Sequence, residues 1–177
     1  MAWLVLLFFQ AGCDESADLP PPKQAPPKPA IEVDASMAAR IEADRRITIG
    51  HLALVLQHDP ADAARMVVTL TSTQPEQDGS RLVLGSFERA SSSQQLADRS
   101  IYLTTGPRLD LRGNGIFTAR VAYQPKFATM KIGAYHGTVA RGTISGEFYR
   151  FDLLRPTARP RVIQVRGEFR AAAIERP

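Results

Sequence analysis

The chain has 177 residues, 44% of them apolar and 23% charged, with a formal net charge of +4. That length allows one compact domain plus appendages, and the apolar share excludes wholesale disorder. A single cysteine excludes an intrachain disulfide framework and any cysteine-cluster zinc site.

The first element is an apolar run from Ala2 to Phe9, followed by Gln10-Ala11-Gly12-Cys13 and then by the acidic Asp14 and Glu15. The run is far too short to span a bilayer as a helix. It has the length of a signal-peptide hydrophobic region, with small residues placed before a cut. These residues resemble the start of bacterial lipoproteins, whose motif is Leu, a small residue, Gly or Ala, then Cys. Ala11, Gly12 and Cys13 fit it, and Gln10 stands where Leu is usual. No Lys or Arg precedes Cys13, so a start upstream of Met1 is expected.

The resemblance implies that residues 1–12 are a signal peptide and that Cys13 carries thioether-linked diacylglycerol as the first residue of the mature chain. The protein would then sit in the bacterial cell envelope, on the periplasmic side of a membrane. Each buried methylene contributes about 0.8 kcal/mol, so several acyl chains hold firmly where one does not. In that family an Asp after the Cys, here Asp14, hints at retention at the inner membrane; inner and outer membrane both stay open. The alternatives are an ordinary signal peptide cut nearby and an uncut cytoplasmic N-terminus.

Residues 14–30 contain six prolines among seventeen residues and almost no large apolar side chain. Such a segment cannot bury enough surface to offset the entropy of ordering. Together with Cys13 it reads as a disordered tether, biased to polyproline II at about 3.1 Å per residue, that holds the domain on the order of 40–50 Å from its anchor.

Residues 31–177 carry the domain, and their period is two almost throughout. Over 31–43 every odd residue is apolar, among them Val33, Met37 and Ile41, which predicts a half-buried strand. Residues 47–57 predict one strand, with Leu52, Leu54 and Leu56 on one face, ended by His58-Asp59-Pro60. A helical turn is expected over 62–65, a returning strand over 66–71, a turn over 74–79 and a strand over 81–88. Residues 90–98 read as a connection, and 100–104 and 108–111 as short strands.

Gly113-Asn114-Gly115 predicts a tight turn with positive φ. Residues 116–123 then alternate as a strand that Gln124-Pro125-Lys126 ends. Further strands are expected over 130–135, 138–151 and 161–173. Gly133, Gly137, Gly142 and Gly146 among them suggest bulges or close backbone approach. Ser145-Gly146-Glu147-Phe148-Tyr149-Arg150 and Arg166-Gly167-Glu168-Phe169-Arg170 echo each other, as adjacent antiparallel strands would. The expected fold is all-β: a single antiparallel sandwich or barrel of about nine to eleven short strands. The Gly-x-Phe pattern of the last two strands resembles small β-sandwich or calycin-like domains of bacterial lipoproteins, which imply no particular chemistry.

Motifs for catalysis are missing from the pattern. His51, His58 and His136 have no metal-ligand spacing. Gly142-Thr143-Ile144-Ser145-Gly146 is not a nucleophile elbow, and its strand context has no following helix. Asp110 with Asp152 or Glu147 could serve as an acid–base pair only if the fold joined them. No catalytic residue, metal site or cofactor is therefore assigned.

Charge says more. Residues 31–98 hold six basic and ten acidic side chains, whereas residues 99–177 hold fourteen and five. Most of the basic ones are arginines, whose forked donors suit phosphate and carboxylate. Arg150, Arg166 and Arg170 are the candidate anion-binding face, with a solvated sheet surface as the plainer alternative. The export signal disfavours nucleic acid as the partner. The expected function is a lipid-anchored envelope protein with a non-catalytic β-domain for binding or structural support. It would contact the membrane through Cys13 and an anionic ligand or envelope protein through that face. The alternatives are a small envelope hydrolase and a calycin-like carrier of a small apolar ligand. Oligomeric state is left open.

Overall fold

A computed structural model of the protein describes residues 35–41, 45–90, 92–136 and 138–176. The apolar start, Cys13, the proline-rich segment and Gly137 lie outside these residues.

Ten strands make up one sheet: β1 (Ser36–Ile41), β2 (Arg45–Gly50), β3 (Leu52–Asp59), β4 (Asp62–Ser72), β5 (Arg81–Glu88), β6 (Ser100–Leu103), β7 (Gly115–Phe117), β8 (Val121–His136), β9 (Val139–Asp152) and β10 (Arg161–Arg176). The only helical turn among the described residues is a 3-10 turn at Ser93–Leu96. The chain is all-β, as its period of two predicts.

The three long strands organise the rest. β8, β9 and β10 pair antiparallel in sequence. The other edge of β10 is shared: Val165 to Arg170 pair with β1, and Ala172 to Arg176 pair in parallel with β3. From β3 the sheet runs through β4, β5 and β7 back to β8, so it closes partly into a ring. The remaining lengths of β8 and β10 carry β6 on one side and β1 with β2 on the other. The parallel β10–β3 pair is the one departure from an antiparallel sheet among these strands.

Alternation sends one set of side chains inward. Met37, Ile49, Leu54, Met66, Leu82, Ile101, Tyr123, Met130, Phe148 and Phe169 belong to one buried apolar cluster. Among the described residues that cluster draws its members from Ala35 to Ala173, with inward-facing side chains from every strand of the sheet. At about 1.5–3 kcal/mol per fully buried large side chain, it is the main source of stability. A carrier of an apolar ligand needs a hollow where these side chains sit. Phe117, Ala122 and Phe151 form a second cluster. They lie on the outer surface under the 104–114 and 153–160 loops, with Leu109 and Leu153 packed against them.

Several local expectations are corrected by tertiary pairing. Residues 47–57 are two strands, broken at His51, whose φ is +50°. Residues 62–65 are the start of β4 and not a helical turn. Asp59 and Asp62 cap the hairpin by accepting the Ala61 and Ala64 amides, and pairing with β3 overrides alanine's helix preference. Residues 116–123 are likewise two strands. Thr118 binds Val121 through both backbone and hydroxyl, turning the chain between β7 and β8. Gln124-Pro125-Lys126 does not end β8, because a register shift between Pro125 and Phe127 lets the strand pass the proline. Positive φ is found at Gly79 and Gly146, not at Gly113 or Gly115. Asn114 instead bonds both backbone groups of Gly85 on the free edge of β5.

Residues 108–111 form a loop and not a strand. The buried amide of Gln124 takes the place of a ladder partner, accepting from the Asp110 amide at 3.1 Å and donating to its carbonyl at 2.6 Å. Gln124→Leu keeps the volume and strands both backbone groups. It is expected to cost about 1–2 kcal/mol and to speed hydrogen exchange at Asp110 while leaving the core amides slow. Unchanged exchange at Asp110 would show that the side chain does not hold the loop.

Candidate anion-binding face

The sequence proposes Arg150, Arg166 and Arg170 as one surface, and the structure divides them. Arg166 and Arg170 are exposed on the outer face of β10, alternating with the inward Val165 and Phe169. Arg150 shares the parity of the buried Phe148 on β9, pairs with Tyr123 and Arg161, and is half-buried on the opposite face. It does not belong with the other two. The sequence puts it there because the echo of the two segments hides that β9 and β10 pair with Phe148 beside Ile163 and not beside Phe169.

The sheet supplies other partners. One register row crosses six strands from β6 to β2: Tyr102, Thr129, Ser145, Arg166, Arg40 and Arg46. Adjacent strands lie about 4.8 Å apart, so Arg166, Arg40 and Arg46 form a line of cations about 10 Å long. Two residues along each strand, the next row reads Ser100, Lys131, Thr143, Glu168, Ala38 and Thr48. Beyond it, Arg141 faces Arg170, which faces Ser36. Between the arginines the floor is therefore hydroxyls and alanine, with the Glu168 carboxylate among them.

The arginines stand over two shallow depressions. One, of about 520 Å³, is lined by Ser36, Ala38, Arg141, Thr143, Glu168 and Arg170. The other, of about 330 Å³, is lined by Ala38, Arg40, Arg46, Arg166 and Glu168. Ala38 and Glu168 belong to both, so the two are continuous.

Among the described residues, one carboxylate, Glu168, stands on this face between Arg166 and Arg170 without an ion pair, and two others near it are paired with lysines. Glu147 pairs with Lys126 at 2.8 Å, and that hydrogen bond, then the carboxylate's charge, hold the Lys126 ammonium above its usual pKa. Asp98 pairs with Lys131 at 3.6 Å. None of Arg40, Arg46, Arg141, Arg166 and Arg170 makes an ion pair with a described residue. Arg40 instead faces Arg46, and Arg141 faces Arg170. Like charges directly opposite cost a sheet stability, and such a breach of local rules is what a functional surface shows.

Asp110 accepts the Arg112 amide and Asp152 the Leu154 amide, each within its own turn. Ser145 has Thr129 and Arg166 as cross-strand neighbours, neither of them a general base. His51, His58 and His136 are exposed, on three separate strand ends. Among the described residues no three His, Cys, Asp or Glu side chains gather as metal ligands.

Sequence reasoning missed Arg40 and Arg46 because they lie in the acidic half of the chain. The usable signal was present, since Arg40 occupies an even, outward position of a strand whose odd positions are apolar. What could not be read was that this strand docks on β10. No known protein family, no curated protein and no solved structure matches the chain.

Proposed function

We propose that the protein is a non-catalytic envelope binding protein, held to a membrane through a lipidated Cys13 and its proline-rich tether. Its β-domain offers the Arg46–Arg40–Arg166 row and the Arg141–Arg170 pair to an anionic partner. One observation carries the reading: five arginines from four strands share an outer face that holds a single carboxylate, Glu168, and none of the five makes an ion pair with a described residue. The fold spends stability on three like-charge pairs there, Arg40–Arg46, Arg40–Arg166 and Arg141–Arg170, and an oxyanion bound between the guanidinium forks would offset that cost. The hydroxyls of Ser145 and Thr143 add neutral donors on the same floor.

The test is titration with soluble inorganic polyphosphate. Affinity should fall steeply with salt. Arg40→Gln should weaken binding roughly tenfold, one charge-assisted contact being worth about 1.5 kcal/mol or more. The same change should raise unfolding stability by about 0.2–1 kcal/mol for each of the two like-charge pairs it removes, Arg40–Arg46 and Arg40–Arg166. Salt-independent binding, or an Arg40→Gln variant as tight as its parent, would overturn the reading.

A further inference from the structure

We infer that the partner of the arginine face is the anionic headgroup surface of the membrane to which the chain is tethered; this rests on the anion-binding reading above and names its ligand. The first reason is where the chain joins the domain. β1 is the first described strand, and its first residue, Ser36, is the direct cross-strand neighbour of Arg170. Ser36 also lines the larger depression together with Arg141 and Arg170. The 34 residues that precede Ala35, including the apolar run Ala2 to Phe9 and the proline-rich segment, are therefore joined to the domain at the edge of its most cationic face. An anchor in that leader would keep the domain within tether reach of the bilayer and so raise the local concentration of headgroups at this face.

The second reason is the form of the face. A deep anion site would converge donors on one buried point. Here the guanidiniums belong to exposed residues and are spread over β9, β10, β1 and β2, above a floor of Ser, Thr, Ala and the single carboxylate Glu168. Distributed cations on a shallow surface match an array of phosphates, each cation adding a similar increment. The third reason lies at the far end of the Arg166 row. Tyr102 is 61% exposed there and stands 6.4 Å, centroid to centroid, from Phe127, which is exposed to the same extent. Lys126 and Lys131 flank this pair on β8, each in an ion pair, with Glu147 and Asp98. Exposed aromatic rings beside cations suit the boundary between headgroups and acyl chains.

The experiment uses Glu32–Pro177, a compact unit by itself, so that neither acyl chains nor the apolar run contribute. Co-sedimentation with phosphatidylcholine vesicles is compared with and without phosphatidylglycerol. Binding should appear only with phosphatidylglycerol and should disappear at high salt. Each arginine near an anionic bilayer contributes about 1 kcal/mol. The triple variant Arg40→Gln, Arg46→Gln, Arg166→Gln should therefore bind on the order of 100-fold more weakly. Its melting temperature should not fall, which separates lost binding from lost fold. Arg155→Gln with Arg159→Gln, in the exposed 153–160 loop, removes two charges elsewhere and should leave binding within about twofold.

Equal losses from the loop and face variants would overturn the inference, because net charge alone would then explain binding. If the domain binds polyphosphate in an Arg40-dependent way but ignores phosphatidylglycerol vesicles, the lipid inference falls and the anion-binding face stands. If it binds neither, both fall.

Discussion

Gly142→Ala is expected to destabilise the domain by about 3 kcal/mol, and Gly142→Val to prevent folding, the upper end of what overpacking a core costs. The reason lies in three strands at once. Gly142 sits in β9, where β8 passes on one side and Phe169 of β10 is its direct partner on the other. A Cβ there would fall well inside contact distance of the Lys131 carbonyl oxygen and 2.5 Å from Phe169 Cζ. Phe169 is itself buried and lies over the glycine, filling the space a side chain would take. The aromatic ring can be trimmed but the backbone oxygen cannot. Phe169→Leu in the Gly142→Ala background should thus recover part of the loss and never all of it. Urea midpoints at unchanged m-value measure both. A cost under about 1 kcal/mol would mean that β8 and β10 do not close on this residue. Gly146→Ala should behave similarly for a second reason, since its φ of +147° is unfavourable for any side chain and Ala128 Cα lies 2.5 Å from the added carbon.

That glycine shows how far the sequence can be read. Alternation identified the inward residues of β1, β5 and β10, because a period of two reports burial on one face wherever the strand forms. It could not report strand order. Phe169 over Gly142 and Arg40 beside Arg166 are both products of pairings between segments over twenty residues apart, and nothing local encodes them. Local signals also misled where the chain bends. Pro125 reads as a strand end, yet β8 continues through it by a register shift. The 108–111 run reads as a strand, yet its backbone at Asp110 is satisfied by one buried glutamine. The site was legible to the same degree. Arginine content and the Arg166–Arg170 spacing pointed to the right strand, but Arg150 was assigned to the wrong face and Arg40 and Arg46 were left out. A charged surface is a property of the sheet, assembled from four strands, and composition by halves of the chain averages it away.

The second large effect is all-or-none. Expressed with its native upstream region, the protein should gain the mass of lipid at Cys13 and fractionate with membranes. Cys13→Ala should lose both the mass increment and stable anchoring. The arginine face cannot replace the acyl chains. Its attraction is screened by salt and reversible, whereas buried methylenes contribute about 0.8 kcal/mol each regardless of ionic strength. The two contributions can be separated in one experiment. A high-salt wash should completely release a chain from residue 14 onward, which lacks both the apolar run and the acyl chains, and leave the lipidated parent bound. Removing the face arginines from the lipidated parent should leave it membrane-bound but free to move on its tether, so that a protease reaches the proline-rich segment faster. A chain of unmodified mass that still begins at Met1 would remove the membrane from this account. The arginine face would then need an anionic partner in solution, and polyphosphate binding would be the observation left to build on.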